Sequence, residues 1–134
     1  MGETIESRLI RRIERKRSNV FLRSDFADLG GYDQVGRVLR HLVRKGRLIR
    51  IGQGLYTRAA PSPFDGTPSP VKGIRVLTDE ALDRLGIETA PTRLQKAYNS
   101  GNTTQVPSGR VIAVNKRVRR KIGYNGTFVS FERA

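Results

Sequence analysis

Between Asp33 and Gly46 the apolar residues Val35, Val38, Leu39, Leu42 and Val43 recur at i, i+3, i+4, i+7 and i+8. That is the helical period, and it gathers all five side chains on one face, which must then be buried. Asp33 is placed to cap the first turn and Gly46 to end the last. Directly after the glycine, Leu48-Ile49-Arg50-Ile51 and Leu55-Tyr56-Thr57 are β-prone runs joined by Gly52-Gln53-Gly54. Glycines at both ends of a three-residue loop supply positive φ, so this segment predicts a hairpin.

Two further helical signals precede that pair. Ile5, Leu9 and Ile13 recur every four residues with Ile10 beside them, while Arg8, Arg11, Arg12, Arg15 and Lys16 occupy the other faces. This is the pattern of a surface helix with one buried stripe. Ser24 to Gly31 predicts a short helix capped by Ser24, with Asp25 at the positive end of its dipole and Gly30 and Gly31 closing it in a left-handed turn. Helix, short helix, longer amphipathic helix and hairpin is the order of a winged helix-turn-helix, here over residues 1–60.

Pro61, Pro63, Pro68 and Pro70, with Gly66 among them, then predict an extended linker over residues 61–70. Residues 71–134 read as a different module. Thr78 to Leu85 predicts a helix capped by Thr78 and ended before Gly86, and Pro91 to Asn99 a second helix with proline in its first turn. Arg110 to Val114 and Thr127 to Phe131 are β-prone, and Asn125-Gly126 is a hairpin-turn dipeptide. The fold class expected is α+β: an N-terminal winged helix-turn-helix followed by a small helix-plus-antiparallel-β module.

Charge narrows the function. Across 134 residues, 26 Lys and Arg face 12 Asp and Glu, a net +14, and both halves are basic, 14 against 6 over residues 1–60 and 12 against 6 over 61–134. Such a surface gains free energy by releasing the counterions condensed on nucleic-acid phosphates. The absence of cysteine rules out disulfides and thiolate metal ligands, and a single histidine, His41, rules out paired-histidine zinc sites. Val111 to Val114 is the longest uninterrupted apolar run, too short for a membrane span or a signal-peptide core, so the expected address is cytoplasmic with no membrane partner. Glycine-rich nucleotide loops are missing, and the carboxylate pairs Asp25/Asp28 and Asp79/Asp83 sit where helix starts need acids. We therefore expect no enzyme, no cofactor and no metal.

The candidate site is the polar face of the third helix. Arg37, Arg40 and Arg44 are centred opposite the apolar five, flanked by Gln34 and His41, and every outer charge from Arg37 to Lys45 is basic with no Glu at i±4. In a helix-turn-helix this helix enters the major groove, where arginine forks pair with guanine and glutamine with adenine. The hairpin adds Arg47, Arg50 and, at its tip, Gln53, with Arg58 beyond it, all suited to sugar-phosphate or minor-groove contact. His41 reads as a DNA-face or plain surface residue, since it lacks neighbours that would orient it for catalysis. The cluster Lys116-Arg117-Val118-Arg119-Arg120-Lys121 reads as the protected rim of an edge strand, although the same charges suit nucleic acid or an acidic partner.

The segment from Val20-Phe21-Leu22-Arg23-Ser24-Asp25-Phe26 through Leu39-Arg40-His41-Leu42-Val43-Arg44-Lys45-Gly46 to Leu48-Ile49-Arg50-Ile51-Gly52-Gln53-Gly54-Leu55-Tyr56 resembles the AbiEi-like antitoxins of type IV toxin-antitoxin systems. Downstream, Ala97-Tyr98-Asn99-Ser100-Gly101-Asn102-Thr103-Thr104-Gln105-Val106-Pro107 is similar to that family's small helix and Thr-Gln-Val-Pro strand entry. The resemblance runs from about residue 5 to 132. It implies a module that binds double-stranded operator DNA and represses its own operon, and a C-terminal module that opposes a nucleotidyltransferase toxin without necessarily touching it. Two other readings stay open: an RNA-binding accessory protein, and an antitoxin that covers its toxin directly through the C-terminal module. Tyr124, Phe128 and Phe131 are the clustered aromatics available for base stacking, but Phe128 and Phe131, three residues apart, face opposite sides of a regular strand.

Overall fold

The computed structural model describes residues 4–134 and divides into two compact units, residues 1–73 and 74–134. The first unit begins with α1 (Ile5–Arg15), where the Thr4 hydroxyl accepts from the Ser7 amide at 3.1 Å and so supplies an N-cap. Leu9 and Ile13 of its apolar stripe are buried, and Arg12 and Arg15 lie in the last turn, where the helix dipole favours cations. The chain then forms β1 (Val20–Leu22), a strand that the amphipathic patterns do not announce. Where a short α-helix is expected from Ser24, the structure has a 3₁₀ turn, Arg23–Phe26. The Asp25 carboxylate accepts from the Leu22 amide at 3.0 Å, which moves the cap upstream of Ser24, and burial of both Phe26 and Leu29 closes the segment in one turn.

The longest helix, α2 (Tyr32–Arg44), buries Val35, Leu39 and Leu42 and half-buries Val38 and Val43, as its period requires. Its N-cap is Gly31 and not Asp33: the Gln34 side chain accepts from the Gly31 amide at 2.9 Å, leaving Asp33 in the first turn as a dipole partner. Gly46, at φ 78°, ends it in the left-handed conformation. β2 (Leu48–Gly52) and β3 (Leu55–Pro61) form the expected hairpin, with a bulge between Arg50 and Gly52. Only Gly54 of the two loop glycines has positive φ, 68°, because the bulge turns the chain before Gly52.

β3 is the centre of the sheet, with β1 and β2 antiparallel on either side of it. Phe21, Leu48 and Tyr56 from the strands close one core with Leu9 and Ile13 of α1, Phe26, Leu29, and Val35, Leu39 and Leu42 of α2. The proline-rich stretch is not an extended linker. Its second half is β4 (Pro68–Pro70), which pairs antiparallel with Ala59–Pro61 of β3 and so belongs to the first unit. The Asp65 carboxylate accepts from the amide and hydroxyl of Thr67, and the Ser62 amide donates to the Thr67 carbonyl at 2.8 Å, which folds the loop back. Prolines are tolerated because this strand lies at the sheet edge, where a missing N–H breaks no central ladder.

In the second unit, α3 (Ile74–Arg84) starts four residues before the expected cap. Thr78 is buried within it, its hydroxyl donating to the Ile74 carbonyl at 2.6 Å, so it packs and does not cap. β5 (Thr89–Ala90) leads to α4 (Arg93–Asn99), capped by Thr92, whose hydroxyl accepts from the Gln95 amide at 3.1 Å while the Gln95 side chain accepts from the Thr92 amide at 2.7 Å. Pro91 therefore precedes the cap.

β6 (Val111–Val114), β7 (Gly123–Tyr124), β8 (Thr127–Phe128) and β9 (Ser130–Arg133) complete the chain. The pairings β5·β6 and β7·β8 are antiparallel, but β6 and β9 run parallel, unlike the wholly antiparallel module expected. Asn125 and Gly126, at φ 56° and 80°, make the two-residue turn of β7·β8. Val129 splits the expected strand 127–131: it is buried and its amide donates to the Ile122 carbonyl at 2.9 Å, sending the chain into β9. Residues 116–121 form an irregular loop between β6 and β7, so the basic cluster does not guard a strand edge. Helices segregated from antiparallel and mixed sheets make the chain α+β.

Candidate nucleic-acid interface

Burial of one face of α2 dictates what the other face carries. Arg37, Arg40 and Arg44 are exposed, and their side chains make no hydrogen bond or ion pair among the described residues. At about 100° per residue they fall within about 60° of one another and span roughly 10 Å of helix. Asp33 is exposed on the same face one turn upstream of Arg37, the one acid there.

The remaining residues singled out by sequence take different places. Gln34 is exposed, but its carbonyl oxygen is committed to the Gly31 cap, so the bidentate amide pairing to adenine is not open to it in this state. His41 is half-buried, with Nε2 3.7 Å from the Glu6 carboxylate, and Lys45 Nζ lies 3.3 Å from the same group. Glu6 thus draws these two toward α1 and away from the arginine row. On the hairpin, Arg47, Arg50 and Gln53 are exposed, and Arg50 Nε donates to the Gly52 carbonyl at 3.2 Å, which holds it along the bulge.

Arg58 does not project outward with the hairpin cations. Its guanidinium donates to the Ile13 carbonyl at 2.6 Å, the Ser18 carbonyl at 2.7 Å and the Lys16 carbonyl, and it lies over the Phe21 ring, 4.9 Å from the centroid. It caps the end of α1 from across the sheet. Arg23 is a second structural cation that sequence reasoning missed. It sits 3.4 Å from the centroid of the Tyr32 ring, donates to the Tyr32 carbonyl at 2.5 Å, and its backbone amide donates to the Gly54 carbonyl at 3.1 Å. The residue therefore ties the start of α2 to the hairpin turn. Gly36 makes room for it, since a Cβ there would come within 2.2 Å of the guanidinium. A glycine in the middle of a helix costs about 1 kcal/mol relative to alanine, and that was the available sequence signal. Tyr32 itself is 73% exposed at the first position of α2.

The outer side of α1 is also cationic. Arg12 binds Asp28 through two contacts of 2.5 and 2.8 Å, and Lys16 lies 3.8 Å from Asp25. The hydrogen bond from Arg12 holds the Asp28 carboxyl down at about 2 and raises the guanidinium in turn. Arg8, Arg11 and Arg15 complete a cleft of about 280 Å³ with Arg12, Lys16 and Leu29. Among the described residues, no group of three or more His, Cys, Asp or Glu is placed to hold a metal ion, and no helix is long and apolar enough to cross a membrane.

Comparison with known proteins adds a family to this geometry. Neither the curated proteins nor the solved structures yield a match. A family match runs from within α1 to within β3 and does not extend to Ala97–Pro107, where the second part of the sequence resemblance lies. Over residues 8–59 the chain matches the family of transcriptional regulators described as AbiEi antitoxins, which bears out the resemblance for the unit that carries the arginine face.

Proposed function

We propose that the chain is a sequence-specific double-stranded DNA-binding repressor, an antitoxin that controls its own operon. The observation that carries this reading is the row Arg37, Arg40 and Arg44, without an ion-pair partner among the described residues, on the outer face of α2 in a unit that matches a regulator family. Seated in the major groove, such a row presents guanidinium forks to the O6 and N7 acceptors of guanine. Arg50, held along the bulge, and Arg47 serve the sugar-phosphate backbone and set the register of α2 without reading sequence. Gln34 contributes by closing the first turn of α2, His41 and Lys45 by joining it to α1, and Gln53 by its exposed place at the hairpin tip.

Opposition to a nucleotidyltransferase toxin falls in this reading to residues 74–134. The RNA alternative is weaker, because Phe128 is exposed on β8 while Phe131 is half-buried on β9, which offers no shared stacking platform. The test is binding of the full chain to a duplex taken from directly upstream of its gene, compared with a scrambled duplex of equal length at one fixed salt concentration. Preference for the upstream duplex is expected, with log affinity falling against log salt by about 0.9 for each phosphate neutralised. Equal affinity for the two duplexes would contradict it.

A further inference from the structure

The arginines of α1 form a second basic face. Arg8, Arg11 and Arg15 follow one another at i, i+3 and i+7, so they form a ridge about 10 Å long, enough to meet two neighbouring phosphates of one DNA strand. Arg8, Arg11 and Arg15 are exposed, while Asp28 and Asp25 pair with the flanking Arg12 and Lys16. Glu6 reaches Lys45 and His41 of α2, and it projects from α1 about 160° round the helix from Arg8. The ridge therefore faces away from α2.

Its composition selects the partner. The only apolar residue lining the cleft is Leu29, and that side chain is buried. A protein partner needs an apolar centre to its interface, whereas nucleic-acid interfaces are polar and strongly positive. We propose that the α1 ridge binds the phosphate backbone of a second DNA duplex while α2 holds the first, so that one chain can bridge two DNA segments. This inference rests on the reading of α2 as the DNA-recognition helix.

The experiment uses the full chain, a duplex from directly upstream of its gene fixed to beads, and a labelled random duplex in solution. Wild type is compared with Arg8→Glu/Arg15→Glu, with the milder Arg8→Gln/Arg15→Gln as a guard against misfolding, and with the triple alanine variant at Arg37, Arg40 and Arg44. Wild type is expected to capture the labelled duplex on the beads. Both ridge variants are expected to bind the bead-borne duplex with unchanged preference; the glutamate variant loses the capture, and the glutamine variant captures less, with a log-log salt slope for capture lower by about 1.8 for two phosphate contacts. Capture that is absent in wild type, or undiminished in both ridge variants, overturns the proposal. If the triple alanine variant keeps full preference for the upstream duplex, the reading of α2 fails instead, and that outcome is separate from the capture result.

Discussion

The two units carry similar charge and use it differently. Residues 1–73 hold 15 basic and 7 acidic residues, a net +8, and residues 74–134 hold 11 and 5, a net +6. In the first unit the cations are sorted by the fold: Arg23 and Arg58 are turned inward against backbone carbonyls and aromatic rings, while Arg37, Arg40 and Arg44 stand on one rigid face. In the second, five of the eleven lie in the irregular loop at 116–121. A helix fixes the spacing of its charges and so can read a pattern of acceptors, whereas a loop supplies field without register. Equal charge is therefore no guide to equal function.

This contrast is sharpest at Arg58. Replacing it with methionine keeps an aliphatic stem but removes the guanidinium that lies over Phe21 and that donates to the Ile13, Lys16 and Ser18 carbonyls. We expect a loss of about 2–4 kcal/mol in urea unfolding with the salt slope of DNA binding unchanged. Unaltered stability together with a slope reduced by about 0.9 would move Arg58 to the DNA side of the comparison.

A smaller effect is expected at Gly54, whose φ of 68° a side chain tolerates poorly although nothing lies within 4 Å of a Cβ there. Gly54→Ala should cost about 1–2 kcal/mol through backbone strain alone, measurable as a shift in the denaturation midpoint. A neutral result would mean that the hairpin turn rearranges freely.

The smallest effect belongs to the exposed pair Arg12–Asp28. The folded carboxyl sits at about 2, below its ordinary 3.8, so the pair adds stability above roughly pH 4 that is lost as pH falls toward 2. Asp28→Asn should flatten acid unfolding in that window and leave neutral-pH stability little changed, as expected of a surface pair. An acid limb identical to wild type would show that the pair does not form in solution.

How much of this the sequence discloses depends on the range of the contacts. α2 is readable from its period because burial of Val35, Leu39 and Leu42 is a one-helix property, and the arginine row follows as its complement. β1 is three residues long and exists through its register with Leu55–Thr57, more than thirty residues away. The same holds for β4, whose prolines read as a linker until β3 offers an edge, and for the parallel register of β6 and β9. Arg58 looks like any hairpin cation because the carbonyls it caps are 40 to 45 residues upstream. Gln34 and Thr78 show the converse, local hydrogen bonds at helix starts that lie two and four residues upstream of the expected caps.

In the proposed function, discrimination between operator and random DNA belongs to α2. The most direct test is discrimination between the upstream and scrambled duplexes, measured at one salt concentration for Arg40→Ala, Arg44→Ala and the double alanine variant at Arg119 and Arg120. Each α2 substitution is expected to lower discrimination by about 1–3 kcal/mol, while the double variant keeps it intact and weakens both duplexes alike. Loss of discrimination in the double variant, with Arg40→Ala and Arg44→Ala unchanged, would place the specificity in residues 74–134 and not on α2.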